Sequence, residues 1–129
     1  MSRTSNQKLK LIYLLKILNE KSDENNSLTV NEIILELNFY NIKAERKSIY
    51  DDIEVLRQYG IDIVTKKSKR TSYFVANRLF ELAELKLLVD AVQCSKFVTH
   101  KKSHDLIKKI ESLTSKQQAQ SLHRQVHVV

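Results

Sequence analysis

Residues that turn a chain sharply are almost missing from this sequence, which holds one glycine and no proline. All-β folds connect many short strands through turns that are rich in these two residues. Their scarcity argues against an all-β architecture and against long structured loops. We therefore expect a mainly α fold.

Cysteine and long apolar runs are also scarce. Cys94 is the only cysteine, so no internal disulfide can form, and its apolar neighbours predict a small buried side chain. The apolar run from Leu9 to Leu18 has about half the length that a bilayer requires, and it contains Lys10 and Lys16. These features predict a cytoplasmic protein with no membrane partner.

Patterns that indicate catalysis are missing as well. A Gly-rich phosphate loop needs several glycines, and Gly60 stands alone. Cys94 has no histidine close enough in sequence to activate it. His100 and His104 have a spacing that can hold a metal, but no cysteine or third histidine is placed to complete the site. The sequence therefore predicts neither an enzyme nor a cofactor or metal site.

What the chain has in excess is positive charge. Its 22 basic and 15 acidic residues give a net charge of +7, which favours a polyanionic partner. A length of 129 residues allows one domain with a real core, or a small domain with an extension.

One stretch organises the chain, the segment ERKSIYDDIEVLRQYG from Glu45 to Gly60. At about 100° per residue, Ile49, Ile53 and Leu56 fall on one face of a helix, and we expect that face to be buried. Gly60 ends the helix, because glycine readily adopts the left-handed conformation found after a last turn. The opposite face presents Lys47, Tyr50, Asp51, Glu54 and Gln58.

The first turn of this helix carries Arg46, Lys47 and Ser48. A helix N-terminus adds partial positive charge and unpaired N–H groups, so such an end suits a phosphate. The alternative is an ordinary amphipathic helix of a small helical domain.

A second helix precedes this stretch. Thr29 and Glu32 form a capping-box pattern at its start. Residues 38–43 are predicted to form the turn that follows, with apolar anchors at Phe39, Tyr40 and Ile42. Two helices joined by a short connection, the second with a cationic N-terminus, are typical of a helix-turn-helix. Ahead of them we expect a disordered polar arm over residues 1–5 and a helix over about residues 6–21.

After Gly60 the apolar period changes from helical to alternating, at residues 61–65 and again at 73–75. The segment between them is KKSKRTS, which predicts a two-stranded hairpin with a basic tip. A basic hairpin after a recognition helix is a wing that grips phosphate or enters the minor groove. The alternative is a solvated loop that lysine keeps soluble. The cations of this segment are Lys66, Lys67, Lys69 and Arg70.

The rest of the chain is predicted to be helical. Residues 81–97 show helical spacing at Leu82, Leu85, Leu88, Val89 and Val92. Thr99 caps a further helix with a stripe of Leu106, Ile107, Ile110 and Leu113. A third helix is expected over about residues 116–122, and residues 126–129 resemble the start of a strand.

The order of these elements resembles that of the WYL-domain transcriptional regulators. The elements are the first helix, the capped second helix, the segment KSIYDDIEVLRQYGIDI, the basic hairpin and the segment FELAELKLLVDAVQ. The N-terminal part of that family is a DeoR-like winged helix, and the resemblance covers essentially the whole chain. It implies a winged helix-turn-helix over residues 1–78 that binds DNA, and a helical linker or dimerisation region over residues 79–129.

The family resemblance also implies a ligand-sensing WYL domain, which would follow Val129. We therefore expect an N-terminal fragment or a naturally short form, with an effector ligand only if a longer form carries that domain. Three positions depart from the family pattern. Glu45 and Asp51 are acidic where members often have serine and a basic residue, and Ala83 stands where proline is common.

Together these patterns predict a sequence-specific DNA-binding transcriptional regulator, which we expect to be a homodimer on double-stranded DNA. The recognition helix, about residues 45–59, is expected in the major groove and the basic wing, residues 66–70, on the backbone. The alternative is a protein-interaction or dimerisation module built on a winged-helix scaffold. The predicted DNA-binding residues are Arg46, Lys47, Ser48, Tyr50, Asp51, Lys66, Lys67, Lys69 and Arg70.

Two of these roles leave alternatives open. Arg46 lies near the buried stripe and could instead pair with Glu45 or Asp52. Asp51 could accept a hydrogen bond from cytosine N4, or it could orient a neighbouring cation, and the same holds for Glu54.

Overall fold

The structure, a computed structural model, describes residues 3–126, with side chains described for residues 8–124. In chain order its elements are α1 (Arg3–Lys21), β1 (Leu28–Thr29), α2 (Val30–Phe39), α3 (Arg46–Tyr59), β2 (Ile63–Lys67), β3 (Thr71–Val75), α4 (Leu82–Cys94), α5 (His100–Glu111) and α6 (Lys116–Val126). The prediction of a mainly α fold is therefore confirmed.

The chain divides into two compact units after Ala76. The first unit contains α1 to β3, and the second contains α4 to α6. The boundary expected from sequence lies after residue 78. No helix within residues 3–126 is long and apolar enough to cross a membrane.

In the first unit, three helices and a small sheet bury their apolar stripes against one another. The predicted stripe of α3 is confirmed, since Ile49, Ile53 and Leu56 are 0 to 4% exposed. Helices α1 and α2 contribute the same kind of stripe at helical spacing. The other core side chains are Leu14, Ile17, Leu18, Val30, Ile33, Leu37, Ile42, Ile63, Tyr73 and Val75.

The sheet has three antiparallel strands in the order β1-β3-β2. In the hairpin, Ile63 pairs with Val75 and Lys67 with Thr71, so both strands extend further into the basic segment than predicted. Residues 68–70 close the hairpin. Strand β1 is not predicted from the sequence, because a strand of two residues is too short to show an alternating pattern.

Local signals at the helix ends are confirmed. The Thr29 hydroxyl accepts a hydrogen bond from the Glu32 amide, and the Glu32 carboxylate accepts one from the Thr29 amide. Gly60 follows α3 with a φ of 122°, a left-handed value that favours glycine. Thr99 caps α5 by accepting a hydrogen bond from the Lys102 amide.

Several predicted boundaries are wrong. Helix α1 begins at Arg3, because nothing in residues 3–5 breaks a helix, whereas Met1 and Ser2 of the predicted arm lie outside the described residues. Val126 belongs to α6, and residues 127–129 of the predicted strand also lie outside them. Phe39 is exposed rather than an anchor of the turn, and Tyr40 stacks at the surface on Tyr13.

The second unit is a three-helix arrangement around a small core of Leu85, Val89, Ile107 and Leu122. Three apolar side chains predicted inside it are instead exposed, because they lie off the buried stripes of their helices. These are Leu88, Leu113 and Cys94.

Candidate nucleic-acid interface

Helix α3 presents a polar face opposite its buried stripe. This outer face consists of Lys47, Tyr50, Asp51, Glu54 and Gln58, and each of these residues is exposed. Tyr50, for example, is 40% exposed. A helix with one buried and one polar face can contact a large ligand through its polar side chains while its apolar stripe stays in the core of the unit.

Arg46 connects the start of α3 to the neighbouring helix. Its Nη1 donates a hydrogen bond of 2.8 Å to Asn31 Oδ1 in the first turn of α2. Its Nη2 donates one of 3.2 Å to the Tyr50 hydroxyl. The sequence-based alternative of a pair with Glu45 or Asp52 is thus not what the structure shows. These bonds fix the N-terminal ends of α2 and α3 relative to each other.

Ser48 faces the interior side of α3. Its hydroxyl accepts a hydrogen bond from the Lys10 ammonium of α1. The same ammonium lies 3.0 Å from a carboxylate oxygen of Asp52. Lys10 is 7% exposed, and a buried cation needs such partners. Ser48 therefore positions the first turn of α3 against α1.

Arg57 ties α3 to the hairpin. Its Nε donates a hydrogen bond of 3.0 Å to the carbonyl oxygen of Ile63, and its Nη2 donates one of 2.7 Å to the hydroxyl of Thr65. Glu54 accepts a third bond from Nη1, so this outer-face carboxylate orients a neighbouring cation. The planar guanidinium suits this bridging role because its donors are held in one plane.

Tyr73 lies on β3 directly opposite Thr65 and is 6% exposed. Burial is the main cause that raises the pKa of its hydroxyl above the usual value. Nearby Tyr50 and Glu54 raise that pKa further, whereas Arg57 and Arg46 oppose the change. The flank of α3 that faces the sheet is thus a polar region built around Arg57.

The tip of the hairpin concentrates positive charge. Lys66 and Lys67 end β2, Lys69 and Arg70 lie in the loop, and all four side chains are exposed. Neighbouring strand residues point to opposite faces of a sheet, so Lys67 shares the face of Thr65, which Arg57 contacts. Lys66 and Lys67 therefore belong to β2, the strand that Arg57 of α3 contacts.

Helix α3 itself carries no net charge, because Arg46, Lys47 and Arg57 balance Asp51, Asp52 and Glu54. Asp52 pairs with Lys10, and Glu54 pairs with Arg57. Lys47 and Asp51 are the exposed charges of the outer face for which the described residues provide no ion pair. The excess of cations lies on the hairpin rather than on the helix.

Three residues that position the interface are not among those predicted from sequence, namely Lys10, Asn31 and Arg57. A signal existed for Lys10, since helical spacing places it on the stripe of Leu14, Ile17 and Leu18, where a cation requires a partner. The partners of Asn31 and Arg57 depend on tertiary contacts that sequence does not give.

Among the residues that the structure describes, no group of three or more histidine, cysteine, aspartate or glutamate side chains is arranged to hold a metal ion. Comparisons with protein-family models, with curated proteins and with solved structures find no match for this chain.

Proposed function

We propose that this chain is a sequence-specific DNA-binding transcriptional regulator built on a winged helix-turn-helix. In this proposal α2 and α3 are the helix-turn-helix, α3 is the recognition helix in the major groove, and the β2–β3 hairpin is the wing. The resemblance to WYL-domain regulators stays a prediction, as do the effector-sensing role that it implies and a cytoplasmic location.

One observation carries the proposal: Arg57 holds a hairpin with four exposed cations beside a helix whose polar outer face is exposed. A duplex offers a groove wide enough for a helix, flanked by phosphates that attract cations. The arrangement therefore supplies a base-contacting element and a backbone-contacting element next to each other.

The two elements have different tasks in this proposal. The hairpin cations bind phosphates and carry no sequence information. Lys47 contacts the acceptor atoms of guanine, and Asp51 accepts a hydrogen bond from an amino group such as cytosine N4. Tyr50, which Arg46 holds in place, contacts a sugar or a thymine methyl group. Because Asp51 repels phosphate, it favours a base-specific position over non-specific binding.

Salt dependence tests the hairpin. Each neutralised phosphate adds roughly 0.9 to the slope of log K against log salt. We expect Lys69→Ala with Arg70→Ala to lower the slope by about 2 and to weaken binding to all duplexes equally. Binding is measured by fluorescence anisotropy on random and selected duplexes at several salt concentrations.

The matched control is Lys101→Ala with Lys102→Ala, which removes the same charge from exposed positions of α5 in the second unit. We expect this control to leave the slope close to that of the wild type. Equal slopes for the two double variants would mean that net charge alone drives binding, and the proposed wing would be wrong.

Selection of bound duplexes from a random pool tests the helix. Lys47→Ala and Tyr50→Ala are expected to change which sequences are enriched, whereas the hairpin variant enriches the wild-type sequences with lower yield. If both classes of variant behave alike, the division into a recognition helix and a phosphate-binding wing is contradicted.

The second candidate is a protein-interaction module on the same scaffold. The neutral charge of α3 and the exposed apolar side chains of α4 favour it. An apolar protein interface responds weakly to salt, so a flat salt profile together with no enrichment from the pool would select this alternative.

A further inference from the structure

Asn31 is the second residue of α2, but its side chain does not cap the end of its own helix. Thr29 and Glu32 already form the capping box there. The Asn31 amide oxygen instead accepts a hydrogen bond of 2.8 Å from Arg46, which lies 15 positions further along the chain. Asn31 therefore connects the start of α2 to the first residue of α3.

Arg46 transmits this constraint to the outer face of α3. Its guanidinium is a rigid plane, with Nη1 bonded to Asn31 and Nη2 bonded to the Tyr50 hydroxyl at 3.2 Å. Residues four positions apart are neighbours on a helix surface, so Arg46 reaches Tyr50 within one turn. Because the plane is rigid, the bond to Asn31 at one nitrogen limits where the other nitrogen holds the Tyr50 hydroxyl.

Both of these partners of Arg46 are uncharged. Lys10 and Arg57, the other cations that tie α3 to its neighbours, each pair with a carboxylate. Asn31 and Tyr50 orient the guanidinium of Arg46 without neutralising it, so its positive charge still attracts phosphate. An amide oxygen thus suits a residue that positions a cation beside a polyanion, whereas a carboxylate would cancel the charge.

The bond from Arg46 also determines what the Tyr50 hydroxyl can offer. A phenol oxygen accepts hydrogen bonds and donates one. Because Arg46 occupies an acceptor position, the hydroxyl hydrogen is directed away from Arg46, and accepting a bond from a cation makes the O–H group a stronger donor. Tyr50 is 40% exposed on the outer face. Its hydroxyl is therefore suited to the acceptor atoms of the major groove, which are purine N7, guanine O6 and thymine O4.

We propose that Asn31 is a positioning residue for sequence recognition, because through Arg46 it fixes the Tyr50 hydroxyl as a donor to a base acceptor. This inference rests on the proposed DNA-binding function and deepens it. One base preference of the recognition helix then depends on a residue of the preceding helix. The competing explanation is a direct contact between the exposed Asn31 amide and DNA, which the double variant below distinguishes.

Selection of bound duplexes from a random pool tests this role. Asn31→Ala and Tyr50→Phe should each lower the preference at the same base position, by about three- to tenfold, and leave the other positions unchanged. The variant that combines both changes should match Tyr50→Phe alone, because two residues that act through one contact are not additive. The readout is the enrichment of each base at each position of the selected site.

Two further variants are the controls. Asn31→Asp keeps an acceptor oxygen for Arg46, so it should keep the preferred bases but bind all duplexes more weakly, because a carboxylate repels phosphate. Asn38→Ala removes another exposed asparagine of α2 and should change neither preference nor affinity. The proposal is overturned if Asn31→Ala keeps the wild-type preferences. It is also overturned if the effect of Asn31→Ala adds to that of Tyr50→Phe, since Asn31 would then contact DNA itself.

NMR relaxation of the arginine Nε–H groups tests the positioning without DNA. In Asn31→Ala the order parameter of Arg46 should fall from its wild-type value to below about 0.6, the range of flexible groups and the range expected for Arg70 in the exposed hairpin loop. Asn31→Asp should keep the wild-type value. An unchanged order parameter in Asn31→Ala overturns the proposal. If the wild type enriches no duplex although Arg46 loses order in Asn31→Ala, the DNA-binding function is contradicted and the contact itself is confirmed.

Discussion

Helices α3 and α4 each bury one apolar stripe, but they differ on the opposite side. Helix α3 presents Lys47, Asp51 and Gln58 there, whereas α4 presents Leu87 and Ala91. The buried sides satisfy the same requirement of the fold, so they contain little information about function. The exposed sides differ in their chemistry, which is polar on α3 and apolar at these positions of α4.

The units that contain these helices also differ in the size of their cores. Thirteen described side chains form the buried cluster of the first unit, and four form that of the second. A small core yields little free energy of folding, because buried apolar area is the main stabilising term. The second unit therefore gains less free energy of folding from its buried cluster than the first unit does.

The largest expected effect on the free energy of unfolding comes from shortening a side chain on the buried side of α3. Ile53→Ala removes a side chain that is 1% exposed, and we expect it to lower the free energy of unfolding by about 2–5 kcal/mol. Val55→Ala on the same helix is the control, since Val55 is exposed and should change that value by less than about 0.5 kcal/mol. Urea unfolding followed by circular dichroism measures both. Similar losses would contradict the assigned orientation of α3.

A smaller effect is expected where α3 contacts the hairpin. Arg57→Lys keeps the charge but loses the planar set of donors that reaches Ile63 and Thr65 together. We expect a loss of about 1–2 kcal/mol in the free energy of unfolding, together with faster hydrogen exchange in β2.

Arg70→Lys, an identical change in the exposed loop of the hairpin, is the control for Arg57→Lys and should alter neither quantity. Wild-type exchange in β2 of the Arg57 variant would show that the hairpin stays in place without this contact.

Sequence predicts the features of this chain that depend on neighbouring residues. The capping box at Thr29, the end of α3 at Gly60 and the stripe of Ile49, Ile53 and Leu56 each arise within a few residues, and all are confirmed. The outer face of α3 follows from the same periodicity.

The features that sequence does not predict depend on contacts between distant segments. Helical spacing places Lys10 on the buried side of α1, but it does not identify Ser48 and Asp52, 38 or more positions away, as its partners. Apolar neighbours predict a buried Cys94, but α4 has apolar residues on two sides and Cys94 lies on the exposed one. Apolar spacing alone cannot distinguish a stripe that is buried in the core from one that is exposed.

The smallest expected effect is the pH dependence that Tyr73 of β3 contributes to the free energy of unfolding. The folded state raises the pKa of Tyr73 above its usual value of 10.0, mainly through burial. The unfolded chain therefore ionises first, so this tyrosine contributes stability below pH 10 that is lost as the pH rises through the folded pKa.

Tyr73→Phe removes this titration and keeps the buried ring, so the alkaline fall in the free energy of unfolding should be shallower than in the wild type. Tyr59→Phe is the control, because Tyr59 is 79% exposed and its replacement should leave the wild-type slope. The measurement is urea unfolding at a series of pH values from 8 upwards, compared as differences from the wild type so that lysine titration cancels. If both variants follow the wild-type curve, Tyr73 is as hydrated as a surface tyrosine. Strand β3 would then leave the Tyr73 hydroxyl open to solvent, which would contradict the burial of this side chain in the structure.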